Sequence, residues 1–432
     1  MTASDRRPLS PDARRLVAAQ ALRAFAYGFG ALLLGVTLKQ RGLDGTEVGL
    51  VLGVVVAGTI TTTLAVARWS DRFGRRRSYV VLYLLLAAAG AIYALSANVV
   101  VLVVLALSGV LSTDIVDNGP FTSLEQAMLA GQLAGRDRIR GFGLYNAIAA
   151  AAGSLGALGA GIPALLRHHV DGVPGDQRFF LVFVPVAVAG ALVATRLSAD
   201  VEAVTRPSSG RGRPVGLGRS RPTVRRLAGL FATDAFGGGL VVQAFIAYWF
   251  SAKFHTPLAT LGAVFFVVGA LQTVSFLAAT RLAERFGLLA TMVFTHLPSN
   301  LLLAGIAFAP NLPIAVGLLL ARSVLSQMDV PTRQAYVMAL VDPAERTAAA
   351  GYTNTARYIV RPVGPVLAGA GQTLFFGLPF LAAGGIKAAY DLVLWRWFRH
   401  VALPEEPTVH AAVGSPTTTA PPATDRPGVE AQ

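Results

Sequence analysis

The sequence predicts an all-α integral membrane protein, with twelve transmembrane helices in two pseudo-symmetric six-helix bundles, and three observations carry that reading. Of its 432 residues 54% are hydrophobic and 14% charged, and the mean hydropathy is +0.57, so there is too little charge to clothe a soluble globule. Apolar stretches of roughly 20 residues, the length that crosses about 30 Å of hydrocarbon, recur along the whole chain. The chain is also duplicated. Ala67-Arg68-Trp69-Ser70-Asp71-Arg72-Phe73-Gly74-Arg75-Arg76 joins two apolar stretches and returns as Thr280-Arg281-Leu282-Ala283-Glu284-Arg285-Phe286-Gly287-Leu288-Leu289. Arg15-Leu16 and Ala24-Phe25 return in step as Arg226-Leu227 and Ala235-Phe236, Pro120 as Pro331, and Tyr145-Asn146 as Thr353-Asn354. Parallel halves of this size are a recurrent plan of secondary transporters, with the substrate site between them.

The spans fall near 16–38, 46–67, 78–96, 98–118, 141–166 and 178–197, then 227–250, 257–279, 288–309, 312–331, 348–370 and 374–398. The fourth and tenth each run into a polar segment, Asn118 to Arg140 and Thr332 to Arg346. A short N-terminus (1–15) thus leads into a first bundle (16–197), a Pro-, Gly-, Ser- and Arg-rich linker (198–224) and a second bundle (225–400). The tail (401–432), with Pro416-Thr417-Thr418-Thr419-Ala420-Pro421-Pro422, cannot bury apolar surface and reads as disordered. Arginines gather before the first span (Arg6, Arg7, Arg14, Arg15), after the second (Arg68, Arg72, Arg75, Arg76, Arg77) and in the linker. Alternate loops such as Ser96-Ala97-Asn98 carry none, which puts both termini in the cytoplasm. About fifteen polar residues precede a first span too long for a signal peptide, so no cleavable signal is expected.

Composition also excludes. Cysteine is absent, which removes disulfides, thiolate metal sites and a cysteine nucleophile. The net charge of +14 sits in loops rather than on a soluble domain, so it marks a membrane face and not a nucleic-acid partner. His168, His169, Asp171 and Asp176 imitate a metal site but read as a solvated loop. Neither a metal, an organic cofactor nor an enzyme's catalytic constellation is expected.

The loop Asp71-Arg72-Phe73-Gly74-Arg75-Arg76 has a physical use. A carboxylate there meets the positive end of the eleventh span's dipole and its unpaired N–H groups, Arg72, Arg75 and Arg76 clamp the loop, and Gly74 permits the tight turn. Glu284, Arg285 and Gly287 repeat the arrangement against the fifth span. With its weaker copy after the eighth span, this motif resembles that of the major facilitator superfamily over about residues 10–400, with Ala67 in the place of the family's leading glycine. The resemblance implies a bacterial efflux-type transporter in the cytoplasmic membrane. It further implies a monomer that works by alternating access on a small molecule, drawing on the proton gradient. Proton-coupled drug exporters of the family carry an arginine motif in the fourth span and a Gly-Pro motif in the fifth. Here the look-alikes stand in the second half, as Leu318 with Arg322 and as Gly364-Pro365.

Charges at membrane depth are costly and mark functional candidates. Arg23 and Asp234 occupy equivalent positions with opposite sign on the first and seventh spans, and are expected to pair across a central cavity or to leave Asp234 free to titrate. Asp114 and Asp117 share a face of the fourth span, and Asp329 stands near the duplicate of Asp117. Asn354, Arg357 and Arg361 form a stripe on the eleventh span that Pro365 continues, and Arg322 lies on the tenth. Gly237-Gly238-Gly239, followed by Gln243, allows bending or close approach beside the cavity. His296 invites a proton-relay reading, but with Asn300 it reads as a helix-packing site, and Lys387 and Asp391 as a self-compensating i,i+4 pair.

The expected function is export of a small organic solute by proton antiport. An uptake permease or facilitator of the same fold is the alternative, ahead of a metalloid exporter, which would lack thiolate ligands, or a non-transporting receptor. The topology is testable because no native thiol interferes. Single cysteines at Ser209 and Thr418 should be shielded from an impermeant thiol reagent in intact cells while one at Asn311 reacts; reaction at Ser209 from outside would overturn the orientation.

Overall fold

The computed structural model describes residues 9–96, 98–111, 119–132, 136–167, 169–202, 217–342 and 345–401. All regular elements among them are helical. They are α1 (Pro11–Gln40), α2 (Gly45–Phe73), α3 (Arg75–Leu95), α4 (Val99–Leu107), α5 (Pro120–Gln132), α6 (Arg136–Gly159), α7 (Ile162–Leu166), α8 (Phe183–Thr195), α9 (Arg221–Leu240), α10 (Gln243–Phe254), α11 (Leu258–Phe286), α12 (Leu288–Ile306), α13 (Leu312–Leu325), α14 (Asp329–Leu340), α15 (Arg346–Val360), α16 (Val363–Gln372) and α17 (Leu378–Phe398). Ten helical stretches among the described residues are long and apolar enough to cross a membrane, some joining consecutive helices such as α9 with α10 and α13 with α14. The chain is therefore an all-α, multi-spanning membrane protein.

Local chemistry sets the helix ends. Ser10 accepts from the Ala13 N–H, with Pro11 opening α1, and Asp44 forms a capping box with Glu47 at the start of α2. Gly74 (φ 91°) and Gly287 (φ 84°) turn the chain from α2 into α3 and from α11 into α12, so the motif and its copy share a backbone conformation that a side chain would strain. The linker is shorter than its composition suggests. Ser198 is tied to Asp12, a 3₁₀ turn follows at Ala199–Glu202, and α9 begins at Arg221. The tail beyond 401 and the segment 203–216 lie outside the described residues.

Helices pack within each sequence half and then across the halves. Within the first, α1 lies along α6 and α8, and α3 along α8; within the second, α12 lies along α17, and α9 along α15 and α17. Across the halves, α1 meets α10, α2 meets α16 and α6 meets α11. These crossings lie away from the face that bears Gly74 and Gly287. At that far face Gly49 and Gly369 bring α2 and α16 into backbone contact: a Cβ on Gly369 would stand 2.0 Å from the Gly45 carbonyl oxygen, and one on Gly49 would stand 2.4 Å from that of Pro365. Ala67, Trp69 and Phe73 on α2 and Tyr352, Thr355 and Ile359 on α15 are exposed, and a groove of about 910 Å³ opens between α9 and α15. Ala67 is exposed and so makes no close helix approach in this conformation.

A bulky residue at the α2–α16 crossing should force these helices apart, since overpacking costs about 1–3 kcal/mol. Gly369→Leu should lower the thermal unfolding midpoint of the purified protein and raise thiol labelling of a cysteine placed at Gln372. If both stay as in the parent protein, the crossing does not hold the far face shut.

Candidate functional site

Among the described residues, each half buries an ionic cluster around a charge expected from the sequence, Arg23 in the first and Asp234 in the second. In the first, Arg23 on α1 meets Glu125 on α5 through two bonds, Nε to Oε1 at 3.1 Å and a terminal guanidinium nitrogen to Oε2 at 2.8 Å, with Thr122 at 3.3 Å. Their side chains are 4% and 0% exposed, so the pair is fully out of solvent. A carboxylate there has lone pairs left to satisfy. Tyr79 donates to Oε1 at 2.7 Å and Tyr145 donates to Oε2, while Tyr83 donates to the Ala19 carbonyl and lies 3.3 Å from the Tyr79 hydroxyl. The guanidinium also lies over the rings of Tyr27 and Phe121, 5.1 and 5.6 Å from their centroids. Both oxygens of the Glu125 carboxylate are thus held by one guanidinium and two phenols.

The second half inverts the sign. Asp234 on α9, buried to 3% exposure, receives Lys387 of α17 on Oδ1 and Arg333 of α14 on Oδ2 at 3.2 Å. Arg357 of α15 stands 3.9 Å from Oδ2, and Nε2 of His296 on α12 stands 3.8 Å from Oδ1. Arg333 also bonds Asp329 at 2.8 Å, one turn earlier on α14. The other imidazole nitrogen, Nδ1, lies 2.9 and 3.1 Å from the two oxygens of Asp391, which accepts from Asn300 Nδ2 at 2.9 Å. Five helices thus converge on one carboxylate.

Several sequence expectations change here. Arg23 and Asp234 do not pair: each finds its counter-charge inside its own half, where a facing helix brings it within bonding distance. Lys387 and Asp391 do not compensate one another, because Lys387 turns to Asp234 and Asp391 to His296. His296 does lie beside Asn300, 3.0 Å from Nδ1 to the amide nitrogen, but it also bonds Asp391 and stands 3.8 Å from Asp234, so it is part of the ionic cluster as well as a packing site. Asp176, read as solvated, is buried and held by Arg167 and Gln40. Asp114 and Asp117 lie outside the described residues, as does the side chain of Asp71.

The remaining candidates take other places. Glu202 accepts from the Arg75 and Arg76 N–H groups at 2.6 and 2.9 Å and so caps α3, and Glu345 accepts from Arg219 and Ser220 just before α9. Arg72, Glu284 and Arg285 are exposed. Gln243 is the buried first residue of α10, beyond a helix break at Val241 that follows Gly237–Gly239. Gly239 backs onto Gly364, where a Cβ would stand 2.3 Å from the Gly239 carbonyl carbon, and Pro365 keeps α16 distinct from α15 across Arg361. Asn354 is exposed on α15, and Arg322 is partly buried within electrostatic reach of Asp329.

Glu125, Arg333, Tyr79, Tyr83 and Tyr145 were not singled out by sequence. Glu125 and Arg333 stand in segments whose polarity reads as loop. The duplication held the signal: aligning Pro120 with Pro331 sets Thr122 opposite Arg333, with Glu125 one turn on, so each half carries a charge opposite in sign to Arg23 or Asp234 in the segment after its fourth span.

A model described as Major Facilitator Superfamily matches residues 16–365. A membrane protein of Saccharomyces cerevisiae, described as uncharacterized, is 25% identical over 418 residues, spanning 89% of this chain and 93% of the yeast protein. Among solved structures, the nucleoside transporter NupG superposes with a TM-score of 0.70 at 12% identity, covering 90% of this chain and 100% of that one. The D-xylose-proton symporter gives 0.69 at 13% identity, over 89% and 97% of the two chains. The human organic anion transporter MFSD10 gives 0.59 at 18% identity, over 89% and 100%. At these identities the structural likeness is one of fold.

The buried pair of the first half makes a direct prediction. Arg23→Met strands the Glu125 charge and should cost on the order of 3 to 5 kcal/mol, read as a large fall in thermal midpoint. Adding Glu125→Gln should restore much of it. Equal midpoints for the single variant and the parent would mean that the pair carries no structural weight.

Proposed function

The chain belongs to the major facilitator superfamily, and from that premise we propose that it couples protons to the uptake of a small organic solute, as a symporter working by alternating access. Secondary transport across a membrane is the family's work, and the chain is a transporter and not an enzyme. The ten apolar stretches, with the broken fourth and eleventh spans added, support twelve spans in two bundles, 16–197 and 225–400. The arginine-rich motif face is then cytoplasmic, and the exposure of Ala67, Trp69 and Phe73 on that side supports an inward-facing conformation. Exposed Ala67 and Phe73 belong to a latch around Asp71 that closes in the opposite state.

One observation carries the proton coupling: Asp234, an acid buried at membrane depth, is held by Lys387 and Arg333 with His296 and Arg357 beside it. A carboxylate in that setting changes partners when its surroundings change charge, which is what coupling requires. It sits on the seventh span, next to the Gly237–Gly239 break, so a change of partner there acts on a helix that can bend. Gln243, Arg322, Asn354, Arg357 and Arg361 are the candidates for the solute's path, with Asp329 fixing Arg333.

Uptake is the better supported direction. Export was expected from the motif, yet the structures that superpose well include a nucleoside transporter and a proton symporter. Protein reconstituted in vesicles and offered a panel of nucleosides, sugars and organic anions should accumulate one of them when the outside is made acid. Asp234→Asn should abolish accumulation and, by stranding Lys387 and Arg333, lower the thermal midpoint, while the helix content by circular dichroism at the assay temperature stays that of the parent. Solute movement indifferent to the imposed gradient, or driven by an opposite one, would remove the symport reading.

A further inference from the structure

We propose that His296 is the proton-holding residue of the second-half cluster, and that a proton on its Nε2 competes with the Lys387 ammonium for one oxygen of Asp234. The inference rests on the proton-coupled reading above and assigns the coupling to a switch between α12 and α17.

Geometry decides which nitrogen can switch. A carboxylate accepts, so the tautomer that bonds Asp391 carries its hydrogen on Nδ1, within bonding distance of both Asp391 oxygens; Asn300 Nδ2, 3.0 Å from the same nitrogen, then donates to Asp391 and not to the ring. Asn300 holds the same carboxylate from the next turn of α12 and keeps the ring's orientation. Nε2 is then the nitrogen free to gain or lose a proton, and it points at Oδ1 of Asp234 from 3.8 Å. That is the oxygen Lys387 occupies. At 3.8 Å the imidazole makes no hydrogen bond there, so it stands beside a site already filled.

The charges around the ring come from every helix packed on it. Asp391, Lys387 and Tyr390 belong to α17, Asp234 to α9, Asp329 and Arg333 to α14, Arg322 to α13, and Arg357 to α15 reaches Asp234. On α11 the charged residues Arg281, Glu284 and Arg285 are exposed at its far end. Three carboxylates thus face four fixed cations before the imidazole is charged. Protonating Nε2 adds one more cation, and the most easily displaced is Lys387, whose side chain is 11% exposed against 7% for Arg333 and is the longest-stemmed of the two ligands on a single nitrogen. Its stem lies against Gly237, 2.8 Å from where a Cβ would stand, so its displacement acts where α9 ends. The step adds one proton to Nε2 and gives it back; no other covalent bond changes.

The test needs no solute. Full-length protein with nitrogen-15 histidine and lysine, in phosphatidylcholine nanodiscs, is titrated from about pH 5 to 8, where histidines change charge. The His296 resonance is identified by its loss in His296→Gln, and Lys387 by loss in Lys387→Met, the chain having three lysines. The expected result is a reversible His296 titration with the Lys387 resonance moving at the same midpoint. Asp391→Asn and Lys387→Met should displace that midpoint in opposite senses, because one removes a negative neighbour and the other a positive one. A ring that keeps one form throughout, or a Lys387 signal that stays still while the ring titrates, overturns the proposal. Both readouts are independent of transport, so a failed uptake assay beside a coupled titration would count against the symport reading alone.

Discussion

Charge buried at membrane depth must be neutralised where it stands, and the structure meets that demand inside each sequence half. Arg23 draws α1, α3, α5 and α6 together through Glu125 and its phenols, and Asp234 draws α9, α12, α14, α15 and α17 together. Removing one partner from such a set leaves an uncompensated charge, so each cluster behaves as an internal fastener. The surfaces between halves are of another kind. Where α1 meets α10 and α2 meets α16, glycine lets backbone touch backbone, as at Gly35 with Ala244 and Gly49 with Gly369. Rocking one half against the other then costs packing and not charge separation, which suits a contact that must open and close repeatedly.

Much of this was legible in sequence because hydropathy and duplication are properties of the chain itself. The all-helical, multi-spanning character and the paired turns at Gly74 and Gly287 followed from periodicity and duplication, and alignment of the halves drew attention to Arg23 and Asp234, both of which are buried. What failed was partner choice. Opposite signs at equivalent positions suggested a bridge across the middle, whereas three-dimensional proximity is set by helices that enter from the polar segments after the fourth and tenth spans. Those segments, holding Glu125 and Arg333, looked like loops because their few charges lower hydropathy; as helices α5 and α14 they turn those charges inward. Lys387 and Asp391 misled for a related reason. An i,i+4 spacing makes contact possible, but within the bundle each found a stronger partner on a neighbouring helix.

The two clusters also differ in what can change near neutral pH. Tyr83 and His296 stand at the same remove beyond Gly74 and Gly287, so the duplication set a phenol in one half where it set an imidazole in the other. Phenols ordinarily ionise near pH 10, about 3 to 4 units above an imidazole. Around Glu125 the neighbours are Arg23, Tyr79 and Tyr145, which keep their charge state across the physiological range by chemical type. Around Asp234 they include a histidine and a lysine on one oxygen. The exchange of phenol for imidazole at one equivalent position makes the two halves chemically unlike at the point where each buries its charge.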